Sequence, residues 1–241
     1  MTPNILEQIT SDYEILEPGE SDTWNPLRNE FELAYRLSLF YALAQALACS
    51  HIPIESMKVL DLGCGNGRST RMYIDLGFRP EQLTGLDLRA GTIELAKKLN
   101  PAINHATYTG DEIPLADQSF NWIGITTVIS SIKNHDSRRQ LAKQIYQKLQ
   151  PGGYLFYYDL WRANPLAGGD KISPLELFSD FKKVWHTPFR SYQFIPNSEK
   201  RKSLVKVVMG GNQQLIYDKL RSRISQFIRP SHEVLLVQKI S

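Results

Sequence analysis

Val59-Leu60-Asp61-Leu62-Gly63-Cys64-Gly65-Asn66-Gly67 is a short apolar run that carries one acid and then breaks into three alternating glycines. The residues that follow, Ser69 to Leu76, have the spacing of an amphipathic helix, so the stretch predicts a strand, a tight turn and a helix N-terminus. Backbone N–H groups at such a turn point toward a ligand, and glycine is the residue that lets the ligand come close. A nucleotide-type ligand is therefore expected. The dinucleotide fingerprint G-x-G-x-x-G, counted from Gly63, would need its third glycine at 68, where the chain has Arg68. Here the third glycine arrives at 67, and Asp61 closes the strand.

Outward from this loop the chain alternates between two patterns. Short β-branched or aromatic runs predict strands at Lys58–Leu62, Leu83–Leu86, Ala106–Thr109, Trp122–Thr126, Tyr154–Tyr158, part of Val184–Phe194, and Glu233–Lys239. Amphipathic stretches predict helices at Ser69–Leu76, Ala90–Leu99, Ser137–Leu149 and Pro174–Phe181. The alternation is that of an α/β fold with a mostly parallel sheet and flanking helices. Before the first strand, Asn29 to Ala48 places Phe31, Tyr35, Leu39, Leu43 and Leu47 at helical spacing. Residues 1–55 thus read as an N-terminal helical cap or lid, and 56–241 as the main domain. Within the latter, residues 196–230 form a basic insert before the last strand, carrying Lys200-Arg201-Lys202, Arg221, Arg223 and Arg229.

Composition narrows the class. The chain has 241 residues, 42% hydrophobic and 22% charged, which is the balance of one folded domain with decorations. Its net charge of +3 is too weak and scattered to indicate a nucleic-acid surface. Cys49 and Cys64 are read as reduced thiols rather than a disulfide framework. The longest apolar stretch, Leu37 to Cys49, is interrupted by Ser38 and Gln45 and falls short of the about 20 residues that span a bilayer. Met1 to Thr10 has no basic flank before an apolar run, so a cytoplasmic protein without membrane or nucleic-acid partners is expected.

An acid followed by G-x-G-x-G resembles the first motif of the class I S-adenosylmethionine-dependent methyltransferases, and the resemblance runs from Lys58 to Asp159. It implies a Rossmann-like fold with a seven-stranded, mostly parallel sheet. It also implies that Asp61 lies near the cofactor ammonium group, with Gly63, Cys64, Gly65 and Gly67 lining the pocket through backbone. Asp87, in Leu86-Asp87-Leu88, stands twenty residues past the last loop glycine. Its two acceptor oxygens suit a pair of ribose hydroxyls, whereas the bland alternative is an acid capping the Ala90–Leu99 helix. The segment Thr109-Gly110-Asp111-Glu112 resembles the family's adenine segment, with Asp111 accepting from the exocyclic amine and the Glu112 N–H donating to a ring nitrogen. A turn-forming Asp111 is the alternative. Leu88 and Thr126 complete the implied cofactor set. Leu149-Gln150-Pro151-Gly152-Gly153 resembles the family's turn into its fifth strand, while Phe120-Asn121-Trp122 departs from it, having no acid after the aromatic.

In open α/β sheets the ligand lies outside the carboxyl ends of the strands. That rule gathers acceptor candidates at Ser131, Tyr158 and Arg162, joined by Trp24 and Arg28 from the N-terminal cap. Asp159 and His135 are the candidate general bases, with His135 otherwise a surface residue between Asn134 and Asp136. A hydroxyl acceptor wants such a base and a carboxylate does not. There is no close His/Cys cluster of the kind that holds zinc. Thr126-Thr127-Val128-Ile129 stands where amino-group methylases of DNA bases or protein glutamine carry Asn-Pro-Pro-aromatic or Asp-Pro-Pro-aromatic. The expected activity is methyl transfer from S-adenosylmethionine, with S-adenosylhomocysteine as product, to a hydroxyl or carboxylate of a metabolite, natural product or saccharide. Three alternatives stay open: N-methylation of a small molecule or peptide, a non-catalytic cofactor-binding protein, and a nicotinamide-dependent oxidoreductase.

Overall fold

The computed structural model describes residues 30–160, 173–189 and 232–240. Seven strands form one sheet in the order β3-β2-β1-β4-β5-β7-β6. They are β1 Val59–Leu62, β2 Leu83–Asp87, β3 Asn104–Thr107, β4 Phe120–Thr126, β5 Leu149–Leu160, β6 Phe181–Phe189 and β7 His232–Lys239. The pairs among β1 to β5 are parallel, whereas β7 runs antiparallel to both β5 and β6. The helices are α1 Glu30–Ser50, α2 Arg68–Asp75, α3 Ala90–Leu99, α4 His135–Lys148 and a single turn, α5, at Pro174–Leu177. The alternating pattern predicts this mostly parallel α/β sheet, and the family resemblance implies its Rossmann-like, seven-stranded form.

All seven predicted strands are present, with shifted bounds. β3 starts two residues before its predicted start, and β6 lies three residues before its predicted start. β5 follows α4 without a connecting loop, because Pro151-Gly152-Gly153 lies inside the strand and Gly152 takes φ +76° there. The register shift between Phe120 and Trp122 absorbs this early start.

The sheet is buried on both faces, as parallel sheets are. Along β5 from Tyr154 to Leu160 every side chain is buried. Leu155 and Tyr157 pack with Leu141, Ile145 and Phe178 on one side, while Tyr154, Phe156 and Tyr158 pack with α1 and α2 on the other. The apolar stripe of α1 therefore has a home: Tyr35, Leu39, Leu43 and Leu47 are buried in that second core beside Val234 and Leu236. As far as it is described, α1 is a layer of the domain itself. The rest of the proposed cap, residues 1–29, and the basic insert at 196–230 lie outside the described residues.

Registers Leu62↔Leu86, Leu62↔Ile125 and Thr126↔Tyr158 bring the carboxyl ends of β2, β1, β4 and β5 level. The strand order reverses between β1 and β4, and a ligand crevice opens at such a switch point. The glycine loop sits there.

Candidate functional site

The glycine loop is folded by its own backbone. Gly63, Gly65 and Gly67 have φ of +78°, +54° and +76°, a region costly for residues with a Cβ. The N–H groups of Gly63 and Cys64 both donate to the Leu86 carbonyl, at 2.7 and 3.0 Å, which closes the loop onto β2. A Cβ on Gly63 would also strike the Val128 side chain, so the turn after β4 presses directly on the loop.

Asp61 lies at the end of β1 and is 1% exposed. Ser69 Oγ and Thr70 Oγ1, in the first turn of α2, both donate to its Oδ2, at 2.7 and 2.5 Å. Burial pushes its carboxyl up to about 6, against the pull of these two hydroxyls and with some help from the Asp87 charge. Asp61 Oδ1 has no protein donor among the described residues. A buried carboxylate with one unused oxygen is a natural seat for an ammonium group.

Asp87 ends β2 and is tied to the loop: the Gly65 N–H donates to its Oδ2 at 2.8 Å, and the Arg89 N–H to its Oδ1 at 3.0 Å. Arg89, not Asp87, stands at the N-cap position of α3, and its side chain makes no cap hydrogen bond there. Cys64 is buried beneath both acids, and burial first, then the Asp61 and Asp87 charges, pushes its thiol far up. It is an inert wall. Tyr108, just past β3, donates its N–H to the Asp87 carbonyl at 3.2 Å, and burial and the Asp87 charge hold its phenol up.

Asp111 and Glu112 are exposed in the loop between β3 and β4. That loop is held from α4 by Gln144, whose Nε2 donates to the Asp111 carbonyl at 2.8 Å and whose Oε1 accepts from the Ile113 N–H at 2.7 Å. Gln140 adds a second donor to the same carbonyl at 3.1 Å. Leu88 is half-buried between Asp87 and Arg89, and Thr126 is half-buried at the end of β4.

The acceptor candidates are arranged differently. Tyr158 is wholly buried under α1, its ring 5.9 Å from Tyr35 and 5.1 Å from His232. Asp159 is 1% exposed and spends its oxygens on backbone, Oδ2 on the Ser130 N–H at 3.0 Å and Oδ1 on the Leu160 N–H at 2.7 Å. Both side chains, expected to meet an acceptor, are buried instead, Tyr158 against α1 and β7 and Asp159 against the turn after β4. Ser131 is half-buried and donates through Oγ to the Thr127 carbonyl at 3.3 Å. Thr127 has φ +54°, rare for a β-branched residue and typical of strained functional turns.

His135 opens α4, beside the cap residue Asn134 that accepts from the Asp136 and Ser137 N–H groups. It lines a groove of about 350 Å³ with Arg138, Lys143, Ser173 and Phe181, none of which belongs to the glycine loop. Trp24, Arg28 and Arg162 lie outside the described residues. No group of His, Cys, Asp or Glu that could hold a metal ion occurs among the described residues.

Buried Asp61 with an unused oxygen, three left-handed glycines and an acid bonded to the loop make one cradle, and residues 60–157 match the family model described as a methyltransferase domain. This stretch is therefore similar to methyltransferase domains. Among its relatives is a phthiotriol/phenolphthiotriol dimycocerosates methyltransferase of Mycobacterium ulcerans, 29% identical over 120 residues, covering 49% of this chain and 43% of that protein. A fatty-acid O-methyltransferase of Mycolicibacterium smegmatis is 28% identical over 139 residues, 56% of this chain and 47% of its own. The chain thus matches less than half the length of these relatives. A solved methyltransferase structure from Mesorhizobium loti superposes with a TM-score of 0.56 at 17% identity, over 82% of this chain and 97% of that one, which establishes the shared fold. In their chemistry the residues present fit S-adenosylmethionine: two carboxylates, Asp61 and Asp87, stand beside a glycine loop whose backbone a ligand can approach closely.

Sequence reading missed five residues in and around the cradle. Ser69 and Thr70 were within reach, being hydroxyls in the turn that faces Asp61. Gln144, Arg89 and the strained Thr127 give no local signal.

Proposed function

We infer that the protein transfers a methyl group from S-adenosylmethionine to an oxygen of a small molecule. The observation that carries this is the bond from the Gly65 N–H to Asp87, which makes the loop and the ribose acid a single preformed unit beside the buried Asp61. When bound, the cofactor supplies a methyl group activated by the sulfonium to which it is attached. The chain's part is to bind and orient: Asp61 Oδ1 accepts from the ammonium, Asp87 accepts from the ribose hydroxyls, and the Gly63–Val128 contact keeps the loop pressed against the exit of β4. Holding donor and acceptor in line supplies much of the rate for such a displacement.

The acceptor side rests on less. One relative is named a fatty-acid O-methyltransferase and another a phthiotriol/phenolphthiotriol dimycocerosates methyltransferase, which supports a hydroxyl or carboxylate acceptor on a small molecule. A carboxylate needs no general base; Asp159, whose oxygens accept from the Ser130 and Leu160 N–H groups, stays a proposed base for a hydroxyl acceptor alone. Trp24, Arg28 and Arg162 remain proposed acceptor contacts, and His135 a proposed base only if the acceptor is a hydroxyl.

Calorimetric titration of the whole chain with S-adenosylhomocysteine, S-adenosylmethionine and NADH tests the cofactor. Micromolar binding of the first two, worth about 8 kcal/mol, with none of the third is expected. Binding of NADH alone would overturn the reading. A methyl-transfer screen over free fatty acids, hydroxylated lipids and small amines then assigns the acceptor.

A further inference from the structure

Arg89 stands against Asp87, the acid assigned above to the ribose. Its Nε lies 3.4 Å from Asp87 Oδ1, in addition to the backbone bond that its own N–H makes to that oxygen. At the far end of the side chain, Nη2 stands 3.6 Å from the place a Cβ on Gly65 would occupy, the nearest atom to that place among the described residues outside the loop's own neighbours. The guanidinium therefore bridges the end of β2 and the crest of the glycine loop, over the gap between Asp87 and Gly65. Under this cover the Asp87 side chain is only 9% exposed, whereas Arg89 itself is 29% exposed.

The lone pairs of Asp87 are shared out accordingly. A carboxylate offers about four acceptor positions. Oδ2 accepts from the Gly65 N–H, and Oδ1 from both the N–H and the Nε of Arg89. Two ribose hydroxyls need two positions, so one of the present donors has to leave. The backbone bonds are fixed by the loop and by the start of α3. The Nε contact, at 3.4 Å, is the longest of the three and belongs to a side chain that is 29% exposed.

We propose that Arg89 is a displaceable counter-ion of the cofactor site: it neutralises Asp87 and covers the glycine loop in the cofactor-free protein, and gives up Asp87 to the ribose hydroxyls on binding. The proposal rests on the cofactor reading above. It makes Arg89 a positioning residue that acts through Asp87, and it makes ligand affinity a competition between a guanidinium and a ribose for one carboxylate.

The test is titration and stopped-flow binding of S-adenosylhomocysteine and of adenosine to the whole chain, as wild type, Arg89→Met and Arg89→Lys. Methionine keeps the apolar stem over Gly65 and removes the charge. A partly exposed ion pair is weak, so Arg89→Met should bind both ligands about two- to fivefold tighter, mainly through faster association. Arg89→Lys should fall between it and wild type. Because the competition is ionic, the advantage should shrink between about 0.05 M and about 0.5 M salt. Weaker binding by Arg89→Met would show that Arg89 grips the ligand itself, and equal binding at both salt concentrations would show that it does not compete, either of which overturns the proposal. If wild type binds neither ligand, the cofactor reading fails, a result distinct from these two.

Discussion

Trp122 Nε1 donates to the Tyr73 hydroxyl over 2.9 Å, in the core between α2 and the sheet. Both residues are almost wholly buried, and the hydroxyl fills the space left by the absent side chain of Gly124 on β4. Replacing Tyr73 with Phe would strand the indole N–H, at a cost of about 1–3 kcal/mol. The measurement is urea unfolding. Cofactor affinity should stay within about twofold, since the pair lies behind the cradle and not in it.

Gln144→Leu should loosen the loop between β3 and β4, leaving the buried Ile113 N–H without its acceptor. The expected result is about 1–3 kcal/mol less stability together with weaker binding of adenosine. Gln144→Glu keeps the acceptor for Ile113 but loses the donor to the Asp111 carbonyl, so it should fall between. Identical adenosine affinity in all three proteins would detach this loop from the adenine site.

Asp61 carries a pH signature. Its folded carboxyl titrates near 6 against an ordinary 3.8, so the folded state binds the proton more tightly than the unfolded chain does. Its charge therefore opposes folding above the folded pKa, by about 3 kcal/mol at most, and this penalty is relieved as pH falls from 6 toward 3.8. Ammonium binding needs the ionised form. The affinity for S-adenosylhomocysteine should thus be flat above about pH 6 and fall by up to about tenfold per unit below it. Asp61→Asn should raise the melting temperature of the free protein at neutral pH and abolish this dependence. Calorimetry at a series of pH values reads both effects.

Asp87→Ala should weaken the cofactor by about 2–4 kcal/mol, since ribose donors are left unpaired and the Gly65 N–H loses its acceptor. Asp87→Asn keeps one acceptor oxygen and should lose less. If Asp87→Ala binds S-adenosylhomocysteine as wild type does, the acid serves only the loop.

The cofactor half was legible in the sequence because its parts are local. Glycines at alternate positions specify a left-handed turn, and an acid at a strand end specifies a charge beside it. The partners that hold those parts are remote: Gln144 is 31 residues from Ile113, and nothing in an amphipathic helix says which polar residue reaches inward. Tyr158 and Asp159 misled for another reason. Strand alternation tells which residues share a face but not that both faces are covered, and along β5 they are. Arg89 gives no signal in the sequence, since a guanidinium that folds back over its own turn leaves no periodic trace.

Thr127 holds the chain in a conformation that its branched side chain resists, between the β5 carbonyl of Tyr158, which accepts its N–H at 2.7 Å, and Val128, which abuts Gly63. The hinge between the two halves of the site is therefore wound against its own covalent geometry. Such a kink costs about 1–3 kcal/mol and lasts only while its neighbours brace it. Thr127→Gly should release that tension and raise the melting temperature, yet leave Val128 free to drift from the loop it braces. A protein bred for heat resistance would be expected to lose this threonine early, and to lose catalytic alignment with it.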